Sequence, residues 1–141
     1  MNLCNETITV INQRYNQSEA LTEYRKTVIH GTSWYGSLKS NVDASGLKAA
    51  NQYIVRVPVG ADCSSRNYVD PIAYAKLTDE EASGYFTFKN GDIVVRGEVT
   101  QEDSKITPKL IHDNYAEVMT ILAVTDDRRT RNAPHWKVVG A

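Results

Sequence analysis

Residues 85–99 read "YFTFKNGDIVVRGEV", two alternating apolar and polar runs either side of Asn90-Gly91. That dipeptide tolerates positive φ at both central positions, as a two-residue type I′ turn requires, and its twist suits paired antiparallel strands. The stretch predicts a β-hairpin and commits this part of the chain to antiparallel sheet.

Other segments extend the pattern. Thr7 to Ile11 alternates β-branched polar and apolar residues, as a half-buried strand does. "NQRYNQSEAL" then reads as a long loop or ragged turn. Thr22 to Ile29 forms a second strand, kinked at Gly31 before Trp34. "SLKSNVDASGLKAAN", residues 37–51, is a polar excursion, and Tyr53 to Pro58 is a strand stopped by its proline. "VGADCSSRNYVD" is a loop. Asp70-Pro71 and Thr107-Pro108 each place a capping side chain before a proline, which opens a short helix. "MTILAVTD" and "HWKVVGA" supply the remaining strands, joined by the charged loop "DRRTRNAP". Six or seven short strands with one or two helices, no repeat and no linker, predict a mainly β fold. The expectation is a small antiparallel β-barrel or sandwich with long loops, one domain over residues 1–141.

Composition narrows the function classes. The net charge of −1 supplies no global field to hold nucleic acid. No apolar run reaches the ~20 residues of a membrane helix, and "MNLCNETITV" lacks the basic start and apolar core of a signal peptide, so a cytoplasmic site of synthesis is expected. Cys4 and Cys63 are too few for a disulfide framework and are expected as free thiols. Eight tyrosines against two phenylalanines suit half-wet sheet faces and interfaces.

Catalytic chemistry finds little purchase. His30, His112 and His135 are far apart and outside any metal-ligand spacing. Cys63 has Arg66 three residues on, a weak sign of a lowered thiol pKa. No nucleophile elbow or phosphate-binding glycine loop occurs. The paired acids Glu80-Glu81, Glu102-Asp103 and Asp126-Asp127 read as solvated loop residues. The expectation is a protein that is not an enzyme, with no catalytic residue, metal or cofactor. The candidates left are interface anchors: Arg128, Arg129 and Arg131, suited to carboxylates on a neighbouring subunit, with the aromatics Trp34, Tyr35 and Trp136.

The blocks "GTSWYGS", "NGDIVVRG" and "PHWKVVGA", in that order, resemble a family of small proteins from tailed phages and prophages of Firmicutes, a phage-associated domain of unknown function. The resemblance spans nearly the whole chain. Such proteins resemble in size and pattern the head-closure, or stopper, proteins of long-tailed phages. The resemblance implies a small β-barrel that forms a ring in the neck of the virion. It would contact the portal or adaptor on one side and the tail terminator on the other. Packaged DNA would pass through without sequence-specific binding, and no membrane would be involved. The excursion at 37–51 or the loop at 62–70 would then serve as lumen or inter-subunit arm. A tail terminator or another minor virion protein shares this length and β content. Readings from other classes are a host-directed prophage binding protein and, last, a small hydrolase using Cys63 with one of the histidines. The closing "RNAPHWKVVGA" is expected as the last strand of the barrel, with Trp136 anchoring it in the core or at a subunit contact.

Overall fold

The structure, a computed structural model, describes residues 5–16, 19–43, 46–129 and 131–141, with backbone alone over 37–43 and 46–51. The elements are β1 (Glu6–Asn16), β2 (Leu21–Asp43), β3 (Gly46–Pro58), β4 (Asn67–Tyr68), α1 (Pro71–Lys76), β5 (Tyr85–Phe86), β6 (Ile93–Arg96), α2 (Pro108–Asn114), β7 (Val118–Asp127) and β8 (His135–Gly140). Six strands close a barrel in the order β1-β2-β3-β8-β7-β6, every neighbouring pair antiparallel. Between the two architectures left open by the sequence, the chain adopts the barrel. Closure gives every barrel strand two neighbours, although β2 meets β1 over Leu21–Thr32 and β3 only from Ser33 onward.

β1 is longer than its composition suggests. The polar residues Asn12 to Asn16, expected in a loop, continue the ladder to β2 through Asn16↔Leu21. Gln17 and Ser18 lie outside the described residues. The strand persists because Asn12, Arg14 and Asn16, buried on the same face as Ile8 and Val10, all find polar partners there. Polarity signalled solvent there, whereas the side chains are hydrogen-bonded inside, Arg14 through its Nη1 and Nη2. The opposite face of β1 is buried too. Ile11 joins Ile93, Val95, Val99, Ile106 and Ile111 in a second apolar cluster, so α2 and the chain leading to it cover the outside of the barrel.

Both helix starts form as expected. Asp70 accepts a hydrogen bond from Ala73 N at 2.8 Å, and Thr107 Oγ1 accepts one from Leu110 N at 3.2 Å.

The hairpin around Asn90-Gly91 does not form. The turn exists, with Asp92 N donating to Lys89 O at 3.0 Å. Only Gly91 has positive φ, however, so the backbone is not type I′. The run before it leaves the sheet: Tyr85 and Phe86 pair in parallel with Asn67 and Tyr68, and Phe86 and Phe88 turn into the barrel core. The apolar alternation records a plug against the interior rather than a strand beside β6.

The excursion at 37–51 is built of paired strands. β2 and β3 continue past the barrel as a two-stranded ribbon, paired from Gly36↔Tyr53 to Asp43↔Gly46, with Ala44 and Ser45 outside the described residues. β1 leaves β2 at Thr32 and β8 leaves β3 at Tyr53. The ribbon therefore runs out alone for roughly 20 Å. At its root the Tyr53 ring lies over Gly36, and a Cβ there would meet the ring at 3.2 Å.

β8 completes the barrel between β3 and β7. At its end, Ala141 and Thr120 exchange backbone hydrogen bonds of 3.0 and 3.2 Å. This close approach needs Gly140, because a Cβ would stand 2.3 Å from Thr120 O and 3.1 Å from Met119 Sδ. Gly140→Ala is therefore expected to destabilise the fold by about 1–3 kcal/mol, as overpacking does. Urea unfolding of both proteins measures it.

Candidate assembly surfaces at the two ends of the barrel

Following the pairings round the barrel sets Asn16, Leu21, Pro58, Asp127 and His135 at one end and Glu6, Tyr53, Arg96, Val118 and Gly140 at the other. The chain leaves β3 at Pro58 and enters β6 at Ile93; of the insertion between them, Asp62–Arg66 runs beside β2 from His30 to Lys26, and Asp79 and Thr87 meet Arg14 and Asn12 towards the first end. The ribbon projects from the second. The two ends thus differ.

The insertion is locked down by polar groups. Asn12 acts as a substitute ladder partner for Thr87: its Nδ2 donates to Thr87 O at 2.7 Å, and its Oδ1 accepts from Thr87 N at 3.2 Å. The same Nδ2 donates to Asp92 Oδ2 at 2.9 Å, while Gln13 N donates to Asp92 Oδ1 at 3.2 Å. Burial raises the Asp92 carboxyl above the ordinary range, partly offset by the Asn12 hydrogen bond and the Lys89 charge. A carboxyl with a raised folded-state pKa binds protons more readily in the folded chain. Folding therefore loses stability as pH rises from about 4, the ordinary aspartate value, through the raised one. Asp92→Asn abolishes that slope. Wild type should hold its largest stability advantage over the variant in acid and a smaller one at neutral pH, measured as paired urea midpoints.

Beside this lock lies an ionic network. Arg14 Nη1 meets Asp79 at 2.8 Å and Glu23 at 3.2 Å, and its Nη2 donates to Leu77 O at 2.9 Å. Arg25 Nε donates to Glu23 at 2.7 Å and its Nη2 to Asp79 O at 2.9 Å. Burial works against the charge of Glu23, but hydrogen bonds from Asn16, Arg25 and Arg14 outweigh it and hold the carboxyl below its usual range. The network fastens the chain after α1 onto the barrel rim.

The six anchors read from the sequence divide among different places. Trp136 is 6% exposed and packs with Tyr68, Phe86 and Phe88 in the barrel core, the Tyr68 centroid 4.8 Å away. Arg128 lies over this cluster, its guanidinium carbon 5.1 Å from the Trp136 centroid and 5.3 Å from that of Tyr68. Its Nε and Nη2 donate to Asp126 at 2.8 and 2.6 Å, holding that carboxyl down at about 2. Arg128 is thus an intramolecular lid, while Arg129 and Arg131 stand exposed on the same loop. Trp34 is half-buried against Tyr53, ring centroids 5.1 Å apart, and Tyr35 beside it is 58% exposed. Both sit at the root of the ribbon. The structure therefore offers Arg129 and Arg131 at one end and Tyr35 at the other.

The geometry around Cys63 does not favour a thiolate. Burial and then the Asp62 charge push the thiol up, and Sγ lies 3.5 Å from Ala61 O. Arg66, three residues on, is spent elsewhere: its Nη1 donates to Lys26 O and to Thr27 Oγ1 on β2. His30 bridges to Asp62 through its backbone, with Nδ1 3.0 Å from Thr7 Oγ1. His112 is exposed on α2, and His135 Nδ1 lies 2.8 Å from Ala133 O. Cys4 lies outside the described residues. Among the described residues, no three His, Cys, Asp or Glu side chains gather as metal ligands, and no helix is long and apolar enough to cross a membrane.

Sequence reasoning missed Asn12, Arg14, Glu23 and Arg25, which organise the insertion, and set Arg66 beside Cys63 when it binds β2. One signal was available. "NQRYN" alternates Asn12, Arg14 and Asn16 in phase with Ile8 and Val10, which marks a continuing inward face.

No curated protein and no solved structure matches the chain. A family model covers residues 3–141, and the chain belongs to that family of unknown function, DUF6751.

Proposed function

We propose that this protein is a structural component of a tailed-phage virion, a ring-forming head–tail connector of the neck in the manner of a head-closure protein. The observation that carries the reading is the ribbon of residues 36–53, built on a capped barrel whose two ends differ. An isolated two-stranded ribbon is marginal in water. Extending one outward is sensible when another subunit receives it. The barrel interior is filled by Phe86, Phe88, Met119 and Trp136, so DNA would pass through the lumen of a ring of such subunits and not through the barrel itself. The resemblance of its sequence blocks to a phage-associated family, which is similar in size and pattern to head-closure proteins, supports the same assignment. Partners would be further copies of the chain, a portal or adaptor on one face and a tail terminator on the other, assembled in the host cytoplasm. Such a subunit needs no catalytic group or cofactor.

Replacing residues 37–52 with Asn-Gly joins Gly36 to Tyr53 across a short turn and leaves the barrel ladders whole. The shortened protein should melt within a few degrees of wild type yet be lost from particles, with DNA-filled heads that fail to join tails. Normal incorporation and infectivity of the armless protein would count against the reading.

A further inference from the structure

One stretch of β2 has an open edge beside a groove. Along β2 the even-numbered residues turn their backbone groups away from β1. His30 exchanges backbone hydrogen bonds with Asp62, Val28 O accepts from Ser64 Oγ, and Lys26 is met on both groups, its N by Asp103 Oδ1 and its O by Arg66. The register has no shift between Thr7 and Asn16, so Thr22 and Tyr24 point the same way. Neither has a backbone partner on that side among the described residues. Here the chain forms a groove, floored by Leu21–Arg25 and walled by Asp103, Ser104, Ile106 and Thr107. The capping that covers β2 from His30 to Lys26 stops where the groove begins.

We infer that this groove receives the ribbon of a second copy of the chain, which adds to β2 at Thr22–Tyr24 as an extra strand. Strand addition takes its affinity from main-chain hydrogen bonds, so the guest must itself present an unpaired edge. The ribbon does so on both sides, because β1 and β8 end at its root. Within one molecule it cannot reach the groove, since ribbon and groove belong to opposite ends of β2. Charge agrees: Glu19 and Asp103 rim the groove, and the ribbon sequence carries Lys39 and Lys48 against Asp43. The contact is head-to-tail, which closes a ring when the rotation permits. The inference deepens the assembly role proposed above and names the surface that role would use.

The test uses two variants. Thr22→Pro removes an amide that faces the groove and leaves the β1–β2 ladder intact, and Thr22 itself is exposed. The armless protein keeps the groove and lacks the ribbon. Each alone should be monomeric by analytical ultracentrifugation. Mixed at about millimolar concentration, they should form a 1:1 dimer and no larger species. In that mixture, Thr22 and Tyr24 amide exchange in the armless partner should slow on the order of tenfold. The inference is overturned if the mixture stays monomeric with exchange unchanged, or if Thr22→Pro self-assembles as wild type does. Should Thr22→Pro fail to fold, wild type mixed with the armless protein reads the same amides. Failure here is separable from failure of the neck role: Thr22→Pro entering particles normally removes the groove contact alone, whereas absence of the wild-type protein from particles removes the role.

Discussion

A chain ending at Pro134 should show no cooperative unfolding transition. Its missing residues, His135–Ala141, contain all of β8, the strand that joins β3 to β7. Their loss breaks two ladders at once, from Tyr53↔Gly140 to Pro58↔His135 and from Ile121↔Gly140 to Asp127↔His135. It also takes Trp136 and Val138 out of the core and opens the sheet at two new edges. Folded domains are stable by only about 5–15 kcal/mol, less than the combined loss of a large aromatic, a buried valine and a strand's hydrogen bonds. Circular dichroism should report a mostly disordered or aggregating product. A soluble truncation with a sharp melt would show that β8 is dispensable to the barrel.

Within β8, two adjacent substitutions should separate sharply. Trp136→Ala leaves a cavity under Arg128 and among Tyr68, Phe86 and Phe88, and is expected to cost about 3–5 kcal/mol. The Trp136 indole N–H has no hydrogen-bond partner among the described residues, so the cost comes from packing. His135→Ala loses a contact with Asp127 at 3.5 Å near the rim and should cost under about 1 kcal/mol. Chemical denaturation of the two variants gives both numbers. Comparable losses would mean that His135 has a structural part not seen in its contacts.

Much of the architecture could be read from local chemistry. Asp70-Pro71 and Thr107-Pro108 specify helix starts by geometry confined to a few residues, and both starts form. The alternation of Thr7–Ile11 and the terminal "HWKVV" likewise appear as barrel strands. What local chemistry could not show was where satisfaction came from a distance. Asn12 reads as a loop residue until Thr87 and Asp92, remote in sequence, supply its partners. "YFTFKNGDIVV" reads as a hairpin because Phe86 and Phe88 alternate as a strand would, but their partners are Tyr68 and Trp136. The same limit governs the candidate sites. Arginine density singled out Arg128, Arg129 and Arg131, and only the fold shows that the first is folded back over aromatic rings. The open edge at Thr22 and Tyr24 follows from parity along β2, which no composition reveals.

The neck assignment is tested most directly by reconstructing the intact particle at side-chain resolution. The account expects a ring of this protein between head and tail, each ribbon extending onto a neighbouring copy and DNA in the common lumen. Finding the mature particle without this chain would contradict it.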